Sequence, residues 1–236
     1  MLLFYVRHGD PIYNPNMLTP LGERQAEAVA KRLALYGLDK IYASPSNRAM
    51  QTAKPTAELL KMNIAEADFA DETHVWRDLT VERGDGRLTW LFSHPEIRRI
   101  FTSKEMRALG DEWYKYEGFE KYKAGFMRVY DESDRFLASL GYEHQRYTGR
   151  YKVTRKSDER IALFAHQGFG LAFLSCILDI PYPAFSTHFD MSHSNVTVIE
   201  FGEECGYSIP RVLTLSNDSH IYREGLPTKY QNEIYF

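Results

Sequence analysis

The sequence predicts an α/β fold built in layers, because strand-like and helix-like segments alternate along most of its length. Two buried-looking apolar runs also each stop at a histidine, FYVRHG at His8 and LFAHQG at His166. In such folds ligands gather at the carboxyl ends of the strands, where both histidines would sit.

The elements follow in order. Leu2 to Val6 is apolar without alternation, which suits a strand covered on both faces at the centre of a parallel or mixed sheet. Thr19-Pro20 reads as an N-cap and a first-turn proline, after which Ala26, Val29, Ala30 and Leu33 recur at helical spacing until Gly37. Lys40 to Ala43 is a short second strand, broken by Ser44-Pro45, and Arg48 to Leu60 carries a helix. From about 73 to 117 the periodicity is irregular, with Trp90, Phe92, Trp113, Tyr114 and Tyr116 among arginines and lysines, as expected of an insertion or cap. Phe119 to Leu140 is a long helix ending at Gly141. Strands at Arg150 to Arg155 and Arg160 to Ala165 precede a helix from about Gly168 to Leu178, and late strands follow near Val196 to Phe201 and Arg211 to Leu215.

The whole of 1–236 is expected to form one domain, since no stretch has linker composition. Hydrophobic residues at 44% and charged residues at 26% are ordinary for a globular protein. A net charge of -3 offers no global attraction to nucleic acid or an anionic membrane. Leu2 to Val6 is too short for a signal-peptide core or a membrane span. Two cysteines, Cys176 and Cys205, make no disulfide framework, and the reading is cytoplasmic.

An isolated Arg-His pair at a strand end more often serves structure. Here Arg7 sits beside His8, Arg48 opens the helix after the second strand, and His166 ends another strand, so four groups can converge on a phosphate dianion. A neutral imidazole attacks phosphorus in line while the arginines and a protonated second histidine offset the equatorial charge, with no metal or other cofactor required. A carboxylic acid must protonate the leaving oxygen and can later activate water. His188 and His193, flanking Asp190, share no helical face and show no third ligand at a recognised spacing, so they read as surface or supporting histidines.

These segments resemble the histidine phosphatase superfamily, in the branch that includes cofactor-dependent phosphoglycerate mutase. Besides Arg7-His8-Gly9, the similarity takes in Leu18-Thr19-Pro20-Leu21-Gly22 with Gln25-Ala26, and Ser44-Pro45-Ser46-Asn47-Arg48-Ala49-Met50-Gln51-Thr52-Ala53. It continues more loosely at Ala165-His166-Gln167-Gly168, Ser194 to Val198 and Asn217 to His220. The resemblance implies a phosphoglycerate mutase-like three-layer α/β/α sandwich with a mostly parallel central sheet. It also implies that His8 is the nucleophile, that Arg7, Arg48 and His166 form the phosphate pocket, and that Asn14, six residues after His8, is an added donor. Gln167 stands where the family often has glycine and supplies another donor or narrows the pocket.

The family's proton donor is a glutamate in a Leu-x-Glu pattern after the third strand. Glu82, in Leu79-Thr80-Val81-Glu82-Arg83-Gly84, is the choice, one residue off that spacing, while Asp85, Glu72 or Asp71 could serve instead. The expected activity is hydrolysis of a small phosphate monoester through a phosphohistidine. Mutase-type transfer and non-catalytic binding of a phosphorylated ligand compete with it. Mutase behaviour needs a lid or tail that keeps water from the phosphoenzyme, and the C-terminal run LPTKYQNEIYF offers only Lys229. Substrate identity and oligomeric state are not written in these residues.

Overall fold

A computed structural model describes residues 1–228; Lys229 and the rest of the C-terminal run lie outside the described residues. A six-stranded sheet is formed by β1 (Leu2–Arg7), β2 (Lys40–Ala43), β3 (Ile64–Glu66), β4 (Arg160–Ala165), β5 (Val196–Glu200) and β6 (Arg211–Asn217). Its order is β6-β5-β1-β4-β2-β3. β1, β4, β2 and β3 run parallel, and β5 is antiparallel to both β1 and β6.

Alternation along β1 assigns the two faces. Phe4 and Val6 join Val29, Leu33, Ala53 and Ala57 of α1 (Pro20–Tyr36) and α2 (Asn47–Leu60) in one core cluster. Leu3 and Tyr5 join a larger cluster with Phe169 and Phe173 on the opposite face. That side is covered by α4 (Lys123–Ser139) and α5 (Gln167–Leu178), and α5 is buried nearly all round because α4 flanks it outside. The result is an α/β/α arrangement. Leu79, Leu91, Phe101 and Trp113, from the irregular stretch, belong to the same large cluster as Tyr5.

The element boundaries anticipated for β1, β2, β4, α1 and α2 match the structure within one residue. The long helix begins at Lys123 rather than Phe119, after a single 3₁₀ turn at Glu120–Tyr122. Arg150–Val153 is a strand, but it pairs with Tyr142–Gln145 and Tyr207–Ser208 in a separate small sheet. Within the irregular stretch lie α3 (Glu72–Asp78), a hairpin of Thr80–Glu82 with Leu88–Trp90, and short helices at Pro95–Phe101 and Lys104–Leu109. Among the described residues no helix is long and apolar enough to cross a membrane.

Candidate active site

Sheet register brings the site together. In the parallel β1–β4 ladder Arg7 lies opposite Ala165, so the next residues, His8 and His166, leave the sheet side by side. The His8 amide donates to Ala165 O at 2.9 Å, and the Ser44 amide, one residue beyond β2, donates to Phe164 O at 2.9 Å. Three neighbouring strand ends therefore deliver His8, His166 and Ser44 to one place, and the imidazole centroids of His8 and His166 are 5.2 Å apart. Tyr5 locks the second histidine from below, because its hydroxyl donates to His166 O at 2.5 Å and accepts the His166 amide at 3.2 Å.

The residues around the histidines hold the loop. A Cβ at Gly9 would stand 2.6 Å from Gly22 O, so the chain after His8 can lie against the start of α1 only with glycine there. Gln25 Oε1 takes the Asp10 amide and Gln51 Oε1 the Leu18 amide, both at 2.8 Å. Thr19 caps α1 by accepting from Gly22 N at 3.0 Å. Thr52 Oγ1 accepts from Gly9 N at 3.0 Å and donates to Arg48 O at 2.7 Å, tying the His8 loop to α2. Arg48 lies in the first turn of α2.

Hydrogen bonding decides the tautomers. His8 Nδ1 is 2.7 Å from Gly9 O, a carbonyl that can only accept, so the proton sits on Nδ1 and Nε2 keeps its lone pair. His166 Nε2 is 2.8 Å from Ser44 Oγ, while its Nδ1 is buried, has no hydrogen-bond partner among the described residues and lies 3.6 Å from Glu72 Oε2. With Ser44 donating to Nε2, a neutral His166 presents Nδ1–H to the cavity. Burial pushes both imidazoles well below their ordinary pKa; proximity to Arg7 and Arg48 adds to this for each, and the neighbouring His166 does so for His8. Burial and the two guanidiniums thus disfavour the protonated His166 expected from sequence, and its neutral form already supplies a donor.

The cationic groups are held just as firmly. Arg48 donates to Glu72 Oε2 at 2.8 Å and to Asn16 Oδ1 at 3.0 Å, and the Tyr13 ring centroid is 5.5 Å from its guanidinium carbon. Arg7 donates to Met191 O and faces His193 Nε2 at 2.9 Å. Among the described residues the Nε of each arginine is buried without a hydrogen-bond partner. Burial pulls the Arg7 guanidinium below its usual value, opposed first by Glu72, and it stays a cation.

Sequence reasoning and structure part at three positions. Glu82 ends its hairpin strand exposed, opposite Leu88, and its side chain makes no hydrogen bond or ion pair among the described residues. Glu72 stands in the cluster instead: Oε2 receives Arg48 and Oε1 receives the Gly168 amide at 3.0 Å. Asp71 and Asp85 are engaged elsewhere, Asp71 as the cap of α3 and Asp85 as acceptor of the Arg87 amide within a turn. Asn14 is exposed with no side-chain hydrogen bond among the described residues, whereas Asn16 reaches Arg48 and Ser46. Gln167 directs its amide to Asp190. Asn16 and Ser44 are additions that sequence reasoning missed, Asn16 having no periodic signal and Ser44 being read only as part of a strand break, while His193, read as a surface or supporting histidine, stands beside Arg7.

His8, Glu72 and His166 also bring one donor atom each within 4.8 Å of one another. Both Glu72 oxygens are already engaged, and two guanidinium groups stand beside the trio, so an anion complements this cavity better than a cation.

Residues 3–94, which carry Arg7, His8, Arg48 and Glu72, match a family model described as histidine phosphatase superfamily (branch 1). The N-terminal part of the chain is thus similar to the histidine phosphatase superfamily. A probable phosphoglycerate mutase of Yersinia enterocolitica is 35% identical over 71 residues, 26% of this chain and 33% of that relative's length. Solved structures resemble the fold over most of the chain. Phosphoserine phosphatase from Entamoeba histolytica, in complex with phosphoserine, matches with a TM-score of 0.60 and 16% identity, covering 93% of this chain and 98% of that one. Mycobacterial glucosyl-3-phosphoglycerate phosphatase, in complex with VO3, gives 0.58 and 20%, covering 90% and 97%. A putative alpha-ribazole-5'-P phosphatase from Escherichia coli gives 0.57 and 19%, covering 92% and 98%.

Proposed function

We propose that the protein is a phosphatase that hydrolyses a small phosphate monoester through a phosphohistidine on His8 Nε2. The observation that carries this reading is the His8 Nδ1 contact with Gly9 O, which fixes the nucleophilic tautomer between His166 and Glu72. A neutral, desolvated imidazole stays nucleophilic without losing a proton first.

In the first step the Nε2 lone pair forms the N–P bond while the ester P–O bond breaks in line. Arg7, Arg48 and His166 Nδ1–H take the charge on the equatorial oxygens. Glu72 takes up the proton that a monoanionic ester brings into the site and gives it to the leaving oxygen. In the second step Glu72, now a carboxylate, takes a proton from water; the water oxygen bonds to phosphorus as the N–P bond breaks, and His8 returns to its Nδ1–H form. Asn16 orients Arg48 here by accepting one of its N–H groups at Oδ1, a role different from the direct phosphate donor that the resemblance implied for Asn14.

Mutase-type transfer is the second reading, supported by the local 35% identity to a probable phosphoglycerate mutase. The two diverge after phosphoryl transfer, which gives the test: a phosphate-ester panel in excess EDTA with acid-labile trapping of the phosphoenzyme. Phosphate release with a trapped phosphohistidine, both abolished in His8→Ala, is the expected result. A phosphoenzyme that passes its group to a second sugar-acid hydroxyl faster than to water favours the mutase. Phosphate binding with neither hydrolysis nor transfer would refute both.

A further inference from the structure

Arg7 ends β1, and its guanidinium is gripped by the loop that leads into β5. One terminal nitrogen donates to Met191 O, and the other lies 2.9 Å from His193 Nε2. A guanidinium can only donate, so Nε2 is the acceptor and the His193 proton resides on Nδ1, 3.5 Å from Asp10 Oδ1. Asp10 is fixed in turn, since its amide donates to Gln25 Oε1 at 2.8 Å and its Oδ2 accepts Thr19 Oγ1 at 2.8 Å.

The backbone carrying His193 is equally constrained. Ser192 N donates to Ser216 Oγ at 3.0 Å, and Ser194 N donates to His8 O at 3.0 Å. Asp190 takes both the Gln167 amide and the Met191 amide. The imidazole therefore projects from a pinned loop, its ring centroid 5.8 Å from that of His8.

We infer that His193 is a positioning residue for Arg7. Held in the Nδ1–H tautomer by Asp10, it accepts one guanidinium N–H and fixes the plane of the fork, leaving the remaining N–H groups to a phosphoryl oxygen. This rests on the reading above, in which Arg7 binds the phosphoryl group. Its contribution is preorganisation: without the acceptor at Nε2, the buried guanidinium must be ordered by the anion itself, and affinity falls.

A double-mutant cycle tests it. Orthovanadate and inorganic phosphate affinities are measured by calorimetry, and KM and kcat with an aryl phosphate, for His193→Ala, His193→Gln, Arg7→Ala and the pair His193→Ala with Arg7→Ala. Arg7→Lys takes the place of Arg7→Ala should the latter fail to fold. One lost charge-assisted hydrogen bond corresponds to about a tenfold weaker anion affinity for His193→Ala, with kcat changing by less than about threefold. His193→Gln, whose amide oxygen can still accept, should recover most of that loss, and His193→Ala should add under about twofold once Arg7 is replaced. Additive losses would overturn the inference, as would a His193→Gln variant as weak as His193→Ala, while leaving the Arg7 reading intact. Anion affinity that Arg7→Ala does not alter would overturn the reading of the site and the inference with it.

Discussion

Glu72→Gln is the most discriminating single change, because the carboxylate has two duties that the amide separates. Gln retains an oxygen for the Gly168 amide, 3.0 Å from Oε1, but it has no proton to give and no charge to set against Arg48 at 2.8 Å. As a general acid, Glu72 contributes about 10²- to 10⁴-fold, so kcat on an alkyl phosphate should fall by that factor, about 3–5 kcal/mol of transition-state stabilisation. Aryl phosphates, whose leaving groups need little protonation, should slow less. Trapped phosphoenzyme should still form on His8 from an aryl ester.

The charge effect points the same way from the side of stability. Glu72 and Arg48 side chains are 14% and 10% exposed, so removing the negative partner strands a mostly buried guanidinium, at a cost of up to about 3 kcal/mol once residual solvent screening is allowed for. Phosphate can replace the lost charge, so saturating phosphate should raise the unfolding midpoint more in Glu72→Gln than in the unaltered protein. Glu82→Gln, at an exposed hairpin position, is the control and should leave alkyl-phosphate turnover within about twofold. A collapse of turnover in Glu82→Gln with an unaffected Glu72→Gln would refute this assignment.

Three further outcomes are expected. His220 is buried between Ser194 Oγ and Arg32, and burial, then Arg32, lowers it from 6.5 to about 4. The unfolded chain therefore binds the proton first, and about 3 kcal/mol of stability present above pH 6.5 drains away as pH falls towards 4; urea midpoints against pH should be flatter over that window in His220→Gln. A Cβ at Gly168 would overlap the Trp90 indole, with Cε2 2.9 Å away, so Gly168→Ala should move the amide that meets Glu72 and lower kcat at least tenfold while circular dichroism stays native. At Gly22 the obstacle is backbone, Asp10 O, which cannot swing aside, so Gly22→Ala should cost about 2 kcal/mol and several degrees of thermal midpoint, measurable by calorimetry.

What could be seen in advance follows from the kind of signal each residue leaves. β1 and β4 are continuous apolar runs because both faces are covered, and a run that stops at His8 or His166 marks both the strand and its carboxyl end. β3 leaves no such trace: it has three residues at the sheet edge, partly exposed, with no apolar pattern. Without it the sequence places the donor further along the chain at Glu82, whereas the first α-helix after that strand opens at Glu72, one of the alternatives, ten residues earlier. Asn16 and His193 reach the site through loop geometry, which has no period. Gln25 and Gln51 carried a resemblance without a reason, and the structure supplies it, since each side chain closes an amide of the His8 loop.

The charges lining the cavity explain why these parts belong together. Two imidazoles kept neutral by burial cannot bind a dianion by Coulomb attraction alone, and two guanidiniums with one carboxylate leave the pocket short of negative charge. In the proposed reaction a phosphoryl group supplies it and offers oxygens to Arg7, Arg48 and His166 Nδ1 together. The same burial that weakens the imidazoles as cations leaves His8 Nε2 with the lone pair that the proposed nucleophile needs. A site dependent instead on a cationic His8 would lose phosphate affinity as pH rises through 7. Anion binding that persists there, with nucleophilic competence intact, is the behaviour this arrangement of charges requires.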